Sequence, residues 1–208
     1  MRKALSLFCV LACLVSLLSC DQGISNGFFT DQEENDSIPV CQRVAKKARA
    51  LSQFLHAHPE YSDQIALLID MRQHSGKNRL FVVDMKNCAI LSKGLVAHGI
   101  GSETGIEDSL RFSNTPGSLC TSLGKYMIGE AYMGNFGRAY KLHGLEATND
   151  NAYERFIVLH QYSCVPDEEQ QDPICNSEGC TMVSENYFNT LENYIDRIAR
   201  PIILEVFY

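Results

Sequence analysis

Apolar residues recur every three or four positions between Pro39 and His58, at Val40, Val44, Ala48, Leu51 and Leu55. This spacing predicts an amphipathic helix stopped ahead of Pro59. The period then shortens. Runs at Ile65 to Asp70, Leu80 to Met85, Ala89 to Ala97, Lys125 to Tyr132, Ala139 to Leu142, Phe156 to His160 and Ile202 to Phe207 are short, rich in β-branched and aromatic residues, and separated by turn formers. They predict strands, with Asp84-Met85-Lys86-Asn87 as the turn joining the second and third. A second helix is expected over Ser184 to Ala199, with Ser184 as its N-cap and Pro201 beyond its end. Many strands with two peripheral helices predict a mainly β domain.

The first residues follow another logic. Arg2 and Lys3 precede an apolar run from Ala4 to Leu18, and the small residue Ser19 stands directly before Cys20. The run is shorter than the roughly 20 residues of a membrane span, so residues 1–19 are expected to be an export signal. Leu17-Leu18-Ser19-Cys20 resembles a bacterial lipobox, which makes Cys20 a lipidation candidate; plain cleavage after Ser19 is the alternative. Residues 20–37, polar and without periodicity, read as a flexible tether, and residues 38–208 as one domain. Together these expectations put the domain in the cell envelope, on the periplasmic side, anchored to a membrane.

Charge narrows the partners. Without residues 1–19 the chain carries 16 Lys and Arg against 25 Asp and Glu, a formal charge of −9, so nucleic acid is not expected as a partner. The acidic blocks at 31–36 and 167–172 read as solvated loops.

Candidate chemistry lies near the C-terminal end. His160 closes an apolar run, and sixteen residues separate it from Ser177-Glu178-Gly179-Cys180. A thiol needs a nearby base to become an effective nucleophile, and a glycine before it admits substrate to the backbone. His160 is thus the candidate base and Cys180 the candidate nucleophile. Gly179 is expected to allow close approach, the Cys180 N–H to hold an oxyanion, and Ser177 to orient the imidazole or the turn. Cys164 and Cys175 bracket the intervening loop and form a candidate disulfide in an exported protein. Cys41, Cys88 and Cys120 read as inert buried thiols. A zinc site from His160, Cys164, Cys175 and Cys180 is the rival reading, although compact CxxC pairs are absent.

The stretch from Leu80 to Val183 resembles the murein L,D-transpeptidase catalytic domain family (YkuD-type). The resemblance rests on Arg79-Leu80-Phe81-Val82-Val83-Asp84, Val96-Ala97-His98-Gly99, Phe112-Ser113-Asn114-Thr115-Pro116-Gly117-Ser118, Ser122-Leu123-Gly124, Gly129-Glu130, His143-Gly144-Leu145-Glu146, Asn149-Asp150-Asn151-Ala152, Arg155, and the His160 to Cys180 signature. It implies an L,D-transpeptidase-like β-sandwich with one helix at the N-terminus and one after the nucleophile. It also implies a cysteine-dependent transpeptidase acting on peptidoglycan stem peptides through a thioester, without metal or organic cofactor. D-Ala is released and the acyl group passes to an amine. Water as acceptor, making an L,D-carboxypeptidase, and a catalytically weak peptidoglycan-binding lipoprotein are the alternatives. His98, Ser113, Asn114 and His143 are the implied cleft residues. Two positions depart from the family pattern: Glu178 replaces the usual His before Gly-Cys, and Gln161 replaces the Gly that often follows the first His.

Overall fold

The computed structural model describes residues 38–106 and 109–208. The expected export signal, the lipidation candidate Cys20 and the expected tether fall outside the described residues. The elements follow the order α1 (Val40–Ala57), β1 (Ile65–Asp70), β2 (Leu80–Asp84), β3 (Ala89–Gly94), β4 (Gly124–Gly134), β5 (Gly137–Gly144), β6 (Val158–Gln161), β7 (Thr181–Val183), α2 (Glu185–Ile195) and β8 (Ile203–Phe207). Among the described residues, no helix is long and apolar enough to cross a membrane.

The eight strands form one sheet in the order β3-β2-β1-β8-β4-β5-β6-β7. The mainly β architecture with its two helices is the expected one. Its layering comes from a single sheet that bends back: Ala97, just beyond β3 at one edge, bridges to Met182 in β7 at the other. β1, in the interior of the sheet, is buried along its whole length. Its alternating residues feed two cores, as the period of two requires. Ile65, Leu67 and Ile69 join Tyr126, Leu142, Leu159 and the α2 residues Phe188, Leu191 and Ile195. Ala66 and Leu68 join Phe81, Val83, Ile203 and the α1 residues Val44, Ala48, Leu51 and Leu55. The i, i+3, i+4 stripe of α1 is therefore the stripe that packs on the sheet. Arg43 to Asp70 at 2.7 Å and Lys47 to Glu205 at 3.3 Å tie the same helix to buried carboxylates of β1 and β8.

Two element ends differ from the sequence pattern by three or four residues, each for a tertiary reason. The third strand stops at Gly94, because residues 95–97 leave β2 and turn toward β7. The second helix begins as expected, with Ser184 Oγ accepting from the Tyr187 N–H, but ends at Ile195. There the Asp196 carboxylate accepts hydrogen bonds from Arg138 and Tyr140 of β5, both at 2.7 Å, and the chain turns toward β8. β7 itself was not predicted: three residues are too few to display an alternation.

β7 pairs parallel to β6, with Leu159 opposite Thr181 and His160 opposite Met182. A parallel pair needs a long connection, and residues 162–180 supply it. The Cys164–Cys175 disulfide closes this connection into a loop, as the bracketing cysteines suggested. Cys120 is buried as expected, but Cys41 is exposed and Cys88 half-buried. Cys41 lies on the outer side of α1, away from the Val44, Ala48, Leu51 stripe, so an inert buried thiol describes Cys120 alone.

Candidate active site

The turn from Ser177 to Cys180 is built by its own hydroxyl. Ser177 Oγ accepts from the Gly179 N–H at 3.1 Å and donates to the Cys180 carbonyl at 2.8 Å. Its backbone is clamped as well: the Ser177 N–H donates to the His98 carbonyl at 2.8 Å, and the Ile100 N–H donates to the Ser177 carbonyl at 2.7 Å. Of its two expected tasks, Ser177 therefore performs the shaping of the turn. Gly179 has φ of +111°, a region that L side chains avoid. A Cβ there would lie 2.8 Å from the Cys120 carbonyl oxygen and 3.3 Å from Arg155 Nη2.

The register sets the relation of base to nucleophile. Cys180 precedes β7 by one residue, and His160 faces Met182, so imidazole and thiol rise from adjacent strands one diagonal step apart. Both side chains therefore belong to the same face of the sheet. Among the described residues the two are not hydrogen-bonded to each other. The Cys180 thiol donates to the Phe156 carbonyl at 3.6 Å. His160 Nδ1 lies 2.9 Å from the Gln161 carbonyl. A carbonyl only accepts, so Nδ1 carries the proton, and in the neutral ring Nε2 is the free acceptor.

Burial governs the protonation of both groups. It lowers the His160 pKa, the hydrogen bond to Gln161 opposing it only in part. It raises that of the Cys180 thiol, as does the Glu178 charge, while a hydrogen bond from Val158 and the Arg155 guanidinium act in the other direction. The resting pair at neutral pH is thus neutral imidazole and neutral thiol. Glu178 is exposed, and its effect at the site is through its charge.

Gln161 has a specific contact. Its Nε2 donates to the Phe136 carbonyl at 3.4 Å, in the β4–β5 turn. The Phe136 ring stacks on His160 with centroids 5.4 Å apart and planes 23° apart. The departure from glycine thus holds the hairpin tip whose aromatic ring covers the base.

The expected cleft residues fall into different surroundings. His98 is buried, with Nδ1 2.8 Å from Arg79 Nη2 and Nε2 2.6 Å from Glu103 Oε1. Both ring nitrogens are engaged within the protein, the His98 backbone carbonyl accepts from the Ser177 N–H of the nucleophile turn, and the residue borders a cavity shared with Met71, Arg79 and Glu103. Asn114 spans two loops, its amide donating to Asp150 at 2.6 Å and to the Ala147 carbonyl at 3.1 Å. Ser113 Oγ accepts from the Thr115 N–H, and its carbonyl accepts from Arg155 at 2.9 Å. These are bracing contacts of a turn. His143 is the more open one: it stacks on Tyr153 at 5.1 Å and lies 3.5 Å from Glu130.

Arg155 received no role from the sequence, although it belongs to an ordered motif. Its guanidinium donates to the carbonyls of Ser113 and Cys120 and to the hydroxyls of Ser118 and Ser122. The planar fork thereby fixes the 113–122 loop against the nucleophile turn. Cys164 and Cys175 are bonded to each other and supply no thiolates to the zinc arrangement considered above.

Residues 39–202 match the sequence profile of the L,D-transpeptidase catalytic domain. The chain belongs to that family. No curated protein sequence matches it. Solved structures similar to this L,D-transpeptidase domain include a mutant of the helical cell shape determining protein Pgp2 from Campylobacter jejuni, at 10% identity and a TM-score of 0.46, with 81% of this chain and 56% of that chain covered. An L,D-transpeptidase in complex with imipenem matches at 12% identity and a TM-score of 0.41, covering 70% and 60%. An L,D-transpeptidase from Mycobacterium tuberculosis H37Rv matches at 13% identity and 0.38, covering 70% and 58%. The domain spans under two thirds of the length of these structures.

Proposed function

We propose that this domain is a cysteine-dependent L,D-transpeptidase of peptidoglycan stem peptides. The observation that carries the reading is the Ser177–Cys180 turn, which holds the thiol on the strand next to a histidine whose Nε2 is free to accept a proton. In the proposed reaction the Cys180 thiol leaves the Phe156 carbonyl and gives its proton to His160 Nε2 as the sulfur attacks the carbonyl that precedes D-Ala. The Cys180 N–H steadies the oxyanion, and Gly179 keeps the approach open. Collapse breaks the C–N bond, His160 returns the proton to the departing D-Ala amine, and a thioester remains. An acceptor amine then attacks the thioester, loses a proton to His160 and regenerates the thiol.

The rival is a catalytically weak envelope protein that binds peptidoglycan in the same cleft. A raised thiol pKa and a thiol bonded to Phe156 rather than His160 favour it. The two readings separate with imipenem, followed by intact-protein mass spectrometry, and with tetrapeptide muropeptides, followed by D-Ala release. The enzyme gives mass addition on Cys180 that Cys180→Ala abolishes, together with D-Ala release. Absence of both, with muropeptide binding retained, establishes the rival. The product distinguishes acceptors, since water yields a tripeptide and an amine yields a cross-link.

Acylation of Cys20 would hold the domain beside its polymer on the periplasmic side, raising the effective concentration of substrate without new contacts. Mass spectrometry of the mature N-terminus tests this, an unmodified residue there excluding the anchor.

A further inference from the structure

Hydrogen bonding fixes the base at one edge alone. His160 Nδ1 meets the Gln161 carbonyl at 2.9 Å, and among the described residues no other hydrogen bond holds the ring. Such a bond sets where Nδ1 points but lets the imidazole roll about the N–H···O line. That roll swings Nε2, the atom that has to meet the thiol proton. A second constraint must therefore act on the face of the ring.

The tip of the β4–β5 hairpin supplies one. Phe136 is the second residue of a two-residue turn between the paired Gly134 and Gly137. Its ring lies over His160 with planes 23° apart, and it meets Tyr162 edge-on, with centroids 4.9 Å apart at 74°. A phenyl ring 52% exposed at a turn gains little from burial, yet it is laid on a histidine that is itself only 7% exposed. The tip also has a second handle. Gln161 Nε2 donates to the Phe136 carbonyl at 3.4 Å. The amide can approach because the next residue is Gly137, with φ of +92°, where a Cβ would stand 3.1 Å from that nitrogen.

We infer that Phe136 is a positioning residue for the base and that the Gln161 side chain is its latch. The Gln161 carbonyl fixes the edge of the imidazole, the Phe136 ring fixes its plane, and together they hold Nε2 in one direction. Phe136 touches no reacting atom and acts through His160. The position that is often glycine in the family pattern thus carries, in this chain, a side chain with a task of its own. The covering ring also keeps water from one face of the imidazole, in keeping with the burial that lowers its pKa. Of the groups that titrate, the Cys180 thiol approaches from the β7 side and Tyr162 stands behind Phe136. Ala139 and Met182, opposite His160 in β5 and β7, carry no charge. The role of His160 as base rests on the transpeptidase reading, whereas the constraint on its ring does not.

Two measurements test the inference on the same protein: titration of His160 by NMR with isotope-labelled histidine, and the rate of Cys180 acylation by imipenem. In Phe136→Ala the His160 midpoint should move up toward 6.5 as its face is wetted. The maximal rate at saturating imipenem should fall about tenfold, with the half-saturating concentration changed by less than about twofold. Phe136→Tyr, which keeps the ring, should restore both to the wild-type values. Gln161→Met, which removes the donor but little bulk, should give a smaller change in the same direction, and it serves as the test where Phe136→Ala does not fold. A merely structural hairpin contact would lower the melting temperature of Phe136→Ala and leave the midpoint in place. That result, an unchanged maximal rate, or a loss in Phe136→Tyr equal to that in Phe136→Ala overturns the inference. If the wild type takes no imipenem, the transpeptidase reading fails and the titration alone decides the stack, a fixed midpoint in Phe136→Ala overturning it and an upward move upholding it.

Discussion

Gly99 and Gly179 lie back to back: a Cβ on Gly99 would stand 2.9 Å from both the nitrogen and the Cα of Gly179, and would also strike the Leu119 carbonyl. The segment that follows His98 and the turn before the nucleophile are thus packed backbone to backbone. Neither contact involves a flexible side chain that could yield. Gly99→Ala is therefore expected to cost about 2 kcal/mol or more of stability, in line with overpacking elsewhere. It should also slow acylation of Cys180 by imipenem, because the turn has to shift. Urea unfolding with parallel mass spectrometry checks both, and a variant with wild-type stability and acylation rate would show that the contact is relieved at no cost.

Arg155→Lys should destabilise the protein by about 3 kcal/mol. Lysine offers a point charge where four acceptors require a fork, and the carbonyls of Ser113 and Cys120 lose their donor. The loss should appear in chemical denaturation, and hydrogen exchange should rise over residues 113–122 ahead of the rest of the domain.

The protonation states give a pH prediction with a definite sign. Burial lowers the His160 pKa from 6.5, so the base stays neutral and competent to somewhat below that pH. Burial raises the Cys180 pKa from 9.0, so free thiolate forms only above it. Alkylation of Cys180 by iodoacetamide, followed peptide by peptide, should therefore have its midpoint above pH 9. Acylation by imipenem, which His160 assists, should hold its rate down past pH 6.5 and fall in more acid solution. An alkylation midpoint near 6 would mean a preformed thiolate and imidazolium instead.

Reduction of the Cys164–Cys175 disulfide frees the connection between base and nucleophile. Loop-closure entropy for a bridge with a sequence separation of 11 amounts to about 3 kcal/mol. Mild reduction, or replacement of both residues by serine, should lower the melting temperature and reduce acylation more than it disturbs the far edge of the sheet around β2 and β3. Equal exchange protection of residues 162–180 in both redox states would contradict this.

What could be read along the chain was local or ordered. The α1 stripe, the β2–β3 turn and the Ser184 cap follow from period, turn chemistry and hydroxyl placement, and each occurs where expected. The His160 to Cys180 spacing pointed to a base and a nucleophile but not to adjacent strands, because β7 is too short to carry a pattern. Long-range partners were silent. The end of α2 depends on Arg138 and Tyr140, and the burial of His98 depends on Arg79 and Glu103, none of which neighbours its partner in sequence except Glu103. Arg155 was visible as a member of a motif, but its function required the 113–122 loop to be seen wrapped around it.

The position of β8 has a consequence for biogenesis. It lies between β1 and β4, parallel to the first and antiparallel to the second. The strands that come early in the chain, β1 to β3, and those that carry the chemistry, β4 to β7, share no ladder except through it. Without residues 203–207 the two halves would keep the Ala97–Met182 bridge and their shared core, but no strand would join their ladders. The strands that carry the thiol and the imidazole therefore depend for their place in the sheet on a segment that follows both in the chain.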